Sequence, residues 1–484
     1  VSRHNMTVVA QMTPGYQGGQ KNRQRSQVLS STAPEDQSMT SDYANLIAAA
    51  MNLYRNDPMT RSIVDTTASY LGQSRPMAST GDADFDAKAT EYFNSYWWGM
   101  ADARRRPGVD FGTMQEQWSK WSWIGGDMLY ALRDDGLYPY EGIQVRTPWS
   151  LRADKQIRNG VRIQAAAPHR ISHYYVMAPR AAAPFGTSKE DFVRFAQNAV
   201  IFAPSKYWRT AMLRGVPELH AVIDALQDWD ATNGNVQGMI KLHSSLWTVE
   251  RDGALSGIGA NFLNKSTADG TQVEYTPAQH GMRVRVKGDP EHDFKMQKLE
   301  NPGSEHVPYM EYMGRIIAAG VGLPYEIVAH LYTNGSYTAN RAARCDFKQF
   351  LMDRWAWRNK VLNQRVWNWV IARAIKAGEL PPAPLVDGRS QWWKCTWTLP
   401  YMSQIDEGKE ITADVAQWGA CTTSLADLAQ EQGRTRGQLL DAHDNDILEM
   451  KARAEALGVT LAEYAGQLFK ASAQPANQGG EDAT

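Results

Sequence analysis

The stretch 322–342 decides the fold. It reads Gly322-Leu323-Pro324-Tyr325-Glu326, then Ile327-Val328, then the polar run Ala329-His330-Leu331-Tyr332-Thr333-Asn334-Gly335-Ser336-Tyr337-Thr338-Ala339-Asn340, then Arg341-Ala342. Gly320 to Pro324 stop one helix, Asn334-Gly335 makes a turn, and a new helix opens beyond it. Upstream, Tyr309, Met313, Ile316 and Ile317 keep helical spacing. Downstream, Phe347, Leu351, Trp355, Leu362, Val366 and Val370 hold an apolar stripe along a much longer helix, which Pro381-Pro382-Ala383-Pro384 ends. A polar loop therefore joins two apolar-striped helices.

Working outward, Arg214-Gly215-Val216-Pro217 opens another helix. Val222, Leu226, Trp229, Val236, Ile240 and Trp247 are spaced to carry it to Val249, although Gly234 and Gly238 weaken its middle. The Gly-rich insert that follows alternates in Met282-Arg283-Val284-Arg285-Val286-Lys287, which predicts a small α/β or β element. First helix, insert and second helix form an excursion, out and back, from one body. In that body a helix starts at the Ser41-Asp42 cap, Asn56-Asp57-Pro58 ends it and starts the next, and two more follow near 84–100 and 111–124. After Gly125-Gly126, strands are predicted at 127–133, 142–146, 171–176 and 199–202, in a mostly antiparallel sheet that the strand 392–399 rejoins. The fold class is α+β, closing with a helical C-terminal domain.

Composition sets the outer limits. The chain has 484 residues, about three domains' worth at ~150 residues each. Its 51 Lys and Arg against 52 Asp and Glu give a net charge of −1, which excludes nucleic-acid binding through a uniformly basic surface. The 17 Trp imply either large packed interfaces or a sugar-stacking surface, and composition leaves both open. Cys345, Cys395 and Cys421 make neither a disulfide framework nor a metal knuckle. No GxxxxGK[ST] loop is present, which argues against a nucleotide-driven motor; HExxH, GxSxG and GxGxxG are missing too. Asp441-Ala442-His443-Asp444-Asn445-Asp446 lacks the turn glycine and distal Glu of a calcium loop and is read as a polar helix boundary. No run nears the ~18 apolar residues of a membrane span. Val1-Ser2-Arg3-His4 begins no apolar leader, so the expected site of synthesis and residence is intracellular. No cofactor or metal is expected.

The layout and four stretches in order resemble the lambda-like family of phage portal proteins. The stretches are Tyr54-Arg55-Asn56-Asp57-Pro58; Arg214-Gly215-Val216-Pro217; Gly322 to Glu326 with Ser336 to Ala342; and Trp397-Thr398-Leu399-Pro400 with Ile405-Asp406-Glu407-Gly408-Lys409-Glu410 and 419–423. The likeness covers 41–465; Glu407-Gly408 departs from the family's Asp-Pro before the Lys-Glu pair. It implies a portal-type fold: a mobile arm (1–40), a wing (41–210), a first stem helix (211–250), a clip (251–303), a second stem helix (304–328), a tunnel loop (329–341), a long kinked helix with the wing's return strand (342–403), a crown (404–470) and a tail (471–484). It implies no enzyme but a closed ring of twelve copies at one vertex of a capsid, assembled in the host cytoplasm and carried in the virion. Double-stranded DNA passes through its axis during packaging and ejection. Terminase large subunit, a head-completion or adaptor protein, and major capsid and scaffold proteins are the implied partners. His330, Tyr332, Asn334, Gly335, Ser336 and Tyr337 are then expected at the lumen, with Glu218, Asp224, Asp228 and Lys241 as stem and lumen charges.

Two residue sets point elsewhere and stay open. The helix 341–376 carries nine Lys and Arg against Asp346 and Asp353, with Trp355, Trp357, Trp367 and Trp369 interleaved. That pattern serves single-strand binding or a packed helix whose charges meet acidic neighbours across a subunit interface; the Trp residues follow the apolar stripe and favour packing. Glu218, Asp224, Asp228 and Asp230 are candidate counter-charges. The rival function is a glycoside hydrolase, with Trp as sugar platform and Asp224, Asp228, Asp406 or Glu410 as the acid–base pair. An adaptor scaffold is a third reading.

Overall fold

The computed structural model describes residues 35–164, 167–177, 192–207, 212–244, 248–252, 265–266, 272–278, 281–287, 294–296, 306–332, 336–386, 388–400, 407–431 and 436–464. Two helices open it, α1 (Glu35–Asn56) and α2 (Pro58–Leu71). Asp57 separates them: its carboxylate accepts the Thr60 amide at 2.6 Å, and Pro58 fills the first helical position, where no amide partner is needed. α1 begins at Glu35, upstream of the expected Ser41-Asp42 cap, so 35–40 are helix rather than arm.

After β1 (Pro76–Ala78) and α3 (Ala83–Glu91), a π turn (Tyr92–Trp97) and a 3₁₀ turn (Trp98–Met100) lead to α4 (Phe111–Ile124). β2 (Asp127–Arg133) and β3 (Gly136–Glu141) form a hairpin, followed by β4 (Ile157–Arg158), β5 (Val161–Gln164), β6 (Ala167–Met177), β7 (Phe192–Ala196) and β8 (Val200–Pro204). They make two antiparallel sheets, β3-β2-β8 and β4-β5-β6-β7. The expected strand at 142–146 is instead a 3₁₀ turn, Gly142–Gln144, closed by Gln144 Oε1 accepting the Glu141 amide at 3.0 Å. The Gly142 and Val145 carbonyls that a strand would use in a ladder go to a buried arginine described below.

β2 is covered on both faces. Leu129 and Ala131 face Tyr174, Val176 and Phe195 of the second sheet, while Met128 and Tyr130 face α4 and the later long helix. Phe93 is the hub of this second core, with Trp97, Phe111, Trp367 and Trp397 at ring distances of 4.9, 5.8, 5.2 and 6.3 Å. Trp97, Trp367 and Trp397 thus pack the interior of one chain rather than lining a sugar platform.

A 3₁₀ turn (Glu218–Ala221) leads into α5 (Ile223–Ser244). The helix stops short of the expected Val249, which lies in β9 (Thr248–Asp252). β10 (Lys265–Ser266), β11 (Gln272–Ala278), β12 (Gly281–Lys287) and β13 (Phe294–Met296) complete a sheet of order β10-β11-β12-β9-β13. The α/β alternative for this insert gives way to sheet among the described residues. Its register sets Arg285 opposite Glu274 of β11 and Glu250 of β9. α6 (His306–Val321) returns beside α5, and α7 (Tyr325–Ala329) turns the chain into α8 (Tyr337–Arg358). A π turn (Asn359–Asn363) interrupts the long helix before α9 (Gln364–Ala377).

β14 (Leu385–Val386) and β15 (Arg389–Ser390) pair with each other, and β16 (Cys395–Trp397) follows. β16 pairs antiparallel with β1, not with the earlier sheet as expected. Only Trp397 of this strand is fully buried, which limits it to a short clasp. The chain closes with α10 (Glu407–Gly419), α11 (Leu425–Glu431) and α12 (Arg436–Leu457). The calcium-like run falls within α12, not at a helix boundary. No described helix is long and apolar enough to cross a membrane.

Candidate functional site: the polar loop and its anchorage

The loop is built from helix ends. α6 stops at Gly322, whose φ of +75° favours glycine; its amide reaches Ala319 O at 3.1 Å and the Leu323 amide reaches Ala318 O at 2.9 Å. Pro324 opens α7, and Ser62 Oγ of α2 holds it by donating to Val328 O at 2.5 Å. α7 ends on His330 in the left-handed region, with the Leu331 amide on Glu326 O at 3.1 Å. Across the loop, Ser336 Oγ accepts the Ala339 amide at 3.2 Å and starts α8. Asn340 Nδ2 donates back to Tyr332 O at 3.3 Å, tying the two sides.

Ala329 belongs to α7 and 337–341 to α8, so the segment between the two helices is shorter than the expected 329–341. The His330 ring is exposed, with Nε2 3.5 Å from Thr66 Oγ1, and Tyr332 is 45% exposed. Ser336 is exposed as well as capping. Tyr337 opens α8, while Asn334 and Gly335 lie outside the described residues. Of the stem charges, Asp224 and Asp228 stand one turn apart on the exposed side of α5. Lys241 lies in the last turn of α5. Glu218 does something else: it forms an ion pair with Arg354 of α8. The structure thus brings His330, Tyr332 and Ser336 into one turn and takes Glu218 into the anchorage of α5.

That anchorage was not legible as such. Arg214, 1% exposed, uses every guanidinium N–H: Nε and Nη2 to Asp127 at 2.5 and 2.9 Å, Nη2 to Gly142 O at 2.7 Å, and Nη1 to Val145 O and Asn159 O at 2.8 and 2.7 Å. Tyr43 of α1 lies under the guanidinium at 4.9 Å and donates to Gly125 O at 2.8 Å. Burial opposes the Arg214 charge, Asp127 more than offsets it, and the arginine pKa is raised. Burial above all pushes the Tyr43 hydroxyl up, keeping it a neutral donor. Beside the pair, a Cβ on Gly215 would stand 2.0 Å from Gly126 O, so only glycine lets these backbones meet. The signal was present in Arg214-Gly215-Val216-Pro217, but the arginine's counter-charge sits 87 residues away.

Two cations of the basic helix are internal, Arg354 and Arg358. Arg354 lies over the Trp123 ring at 4.0 Å. Arg358, fully buried, donates to Leu71 O and Gly72 O at 3.3 and 2.7 Å at the end of α2, and to Ser74 and Ser119 hydroxyls. Burial pulls its guanidinium down to about 9. Trp355 and Trp357 donate their indole N–H groups to Thr398 O and Pro204 O, both at 2.9 Å. Trp355 and Trp357 pack as the apolar stripe predicted, while the acid that Arg354 meets is Glu218 of the same chain rather than one across a subunit interface.

A cavity of about 600 Å³ lies between α1, α4 and β3, lined among others by Arg55, Arg104, Arg106, Trp121 and Tyr140. Glu141 is its one carboxylate, so it lacks the pair that glycoside hydrolysis needs. Asp224 and Asp228 stand apart from it on α5, Asp406 lies outside the described residues, and Glu410 lies on α10. Among the described residues no group of His, Cys, Asp and Glu is arranged to hold a metal ion.

Comparison with known proteins bears on this architecture. Two solved structures are similar: a chain of the neck of a native GTA particle computed with C12 symmetry (13% identity, TM-score 0.37, 66% of this chain and 81% of that one) and a chain of the virion of a native gene transfer agent particle (11% identity, TM-score 0.39, 72% and 100%). No curated protein matches. The family model described as phage portal protein, lambda family, matches residues 21–354 of the 484. The match takes in α1 to α4, the two sheets that follow them, the α5–α6 excursion and the turn after α7, and the chain belongs to the lambda family of phage portal proteins.

Proposed function

We propose that this portal protein closes into a ring of twelve copies at a single capsid vertex, with double-stranded DNA passing along the axis during packaging and ejection. The observation that carries the reading is the family match over a body from which α5 and α6 run out and back, with an exposed polar turn where α6 rejoins it. A head-to-tail contact repeated by a closing rotation yields such a ring. A conduit works best when it holds its cargo weakly, because each fixed phosphate contact adds affinity and slows sliding. A net charge of −1 and a turn of His330, Tyr332, Asn334, Gly335, Ser336 and Tyr337 suit that need. In this reading the turn faces the lumen, and Asp224, Asp228 and Lys241 set the charge of the stem.

The sheet β9–β13 at the far end of the excursion is the proposed docking platform for terminase large subunit and later for the head-completion protein. The C-terminal helices face the capsid interior, and capsid and scaffold proteins meet the wing. The role is structural, with no chemistry of its own.

Native mass measurement and negative-stain microscopy test the ring. The expected result is a mass many times the 54.1 kDa subunit and a particle with an axial hole; a monomer rejects the reading. Shortening the turn by removing 331–335 is expected to leave rings intact while packaging or DNA retention falls. Normal packaging and retention would exclude the lumen role.

A further inference from the structure

Among the described residues, nothing covers the apolar sides of the C-terminal helices α10 and α12. α10 has no buried residue among those described, and Ile411, Val415 and Trp418, spaced along one side, are 58, 60 and 55% exposed. On α12, Leu448 is 63% exposed, beside the exposed Asp441 and Asp444. A helix as short as α10 is marginal alone and gains its stability from packing its apolar side. Something therefore covers this face in the working protein.

Charge selects the occupant. Residues 407–464 hold eleven acidic against five basic residues, so covering one such surface with another copy of itself would set like charges together. Residues 1–34 have the opposite character: four basic residues, Arg3, Lys21, Arg23 and Arg25, and no acidic one. In 21–29, three cations precede the apolar pair Val28-Leu29; in 441–448, three aspartates precede Ile447-Leu448. A 34-residue segment reaches up to about 110 Å from the start of α1, enough to span a protein of this size. We infer that residues 1–34 dock on the C-terminal helices, with Lys21, Arg23 and Arg25 against Asp441 and Asp444 and the apolar residues over Ile411, Val415 and Trp418. The donor is this chain or a neighbouring copy, so the inference stands apart from the ring.

The test uses the full-length protein in its native assembly. Trp418→p-benzoylphenylalanine is expected to cross-link to peptides from 1–34. Lys21→Glu, Arg23→Glu and Arg25→Glu together should lower that yield about tenfold, as losing three attractive surface contacts implies, and should raise amide exchange over 411–418. Adding Asp441→Lys and Asp444→Lys should restore both. Cross-links confined to 407–464 of another copy or to other segments, or exchange unchanged by the triple variant, overturn the inference. All substituted positions are exposed or precede the folded body, so folding of the body is kept. Native mass of each variant reads the ring separately.

Discussion

Arg214 joins five parts of the chain: α1 through Tyr43, β2 through Asp127, the turn at Gly142, the bridge at Val145 and the turn at Asn159. Removing one partner of a buried, fully bonded pair leaves the other charge stranded. Arg214→Met is therefore expected to cost about 3–5 kcal/mol, read as a lower urea midpoint. Arg214→Lys should also destabilise, since one ammonium cannot reach four separate acceptors. Asp127→Asn combined with Arg214→Met should cost less than the sum, and strict additivity would refute the pairing. Asp110 makes a smaller, pH-dependent contribution. Burial works to raise its pKa, but hydrogen bonds from the Thr113 amide and hydroxyl and the Trp98 indole outweigh it, and the net shift is downward. Its folded pKa lies below its unfolded one, so its stabilisation is complete above about pH 4 and is lost as pH falls through the lowered value. Asp110→Ala should cost about 1 kcal/mol at pH 7, with the gap to wild type closing in acid denaturation curves.

At the scale of elements, the base of α5 is held twice, by Arg214 before it and by Glu218 on Arg354 at its first turn. Glu218→Gln removes the charge but keeps the shape, and should cost about 2 kcal/mol because Arg354 stays buried. Its amide exchange should rise at the start of α5 more than at the end of α8. Local signals gave several elements directly. Asp57-Pro58 marks the start of α2, and the apolar run after Gly126 ends at the turn before Gly136, bounding β2. Where the pattern misled, a distant partner had decided the outcome. The alternation at 142–146 matched a strand, but Arg214 claims its carbonyls. Val249 fitted the helical spacing, yet its ladder is with Val284 of β12. The 392–399 segment looked like a return to the main sheet, and its partner is instead Pro76–Ala78. In the candidate site, the polar turn and its two helices were readable from caps and breakers. The clasp behind them was not, because nothing near Arg214 in sequence announces Asp127.

For the whole molecule, a net charge of −1 is a sum of unlike parts. The helix 341–376 holds most of its cations near its own carbonyls, aromatic rings and acids, while the C-terminal helices display their acids outward. The total therefore says little about any one surface. The 17 Trp are similarly redistributed, with Trp97, Trp98, Trp118, Trp123, Trp367 and Trp397 deep inside. An interior this aromatic and close-packed resists deformation, which a ring of the kind proposed above would call on.

The clasp at Arg214 also sets an order of events during synthesis. When Asp127 is added to the growing chain, its counter-charge is still 87 residues from being made. Until then the middle strand of the first sheet begins with an acid that it can neither bury nor discharge cheaply. The amino-terminal half is thus unable to settle as an independent unit and must wait for the segment that opens α5. Body and excursion therefore depend on each other for their final form, and a chain cut short before Arg214 is expected to leave Asp127 without its counter-charge.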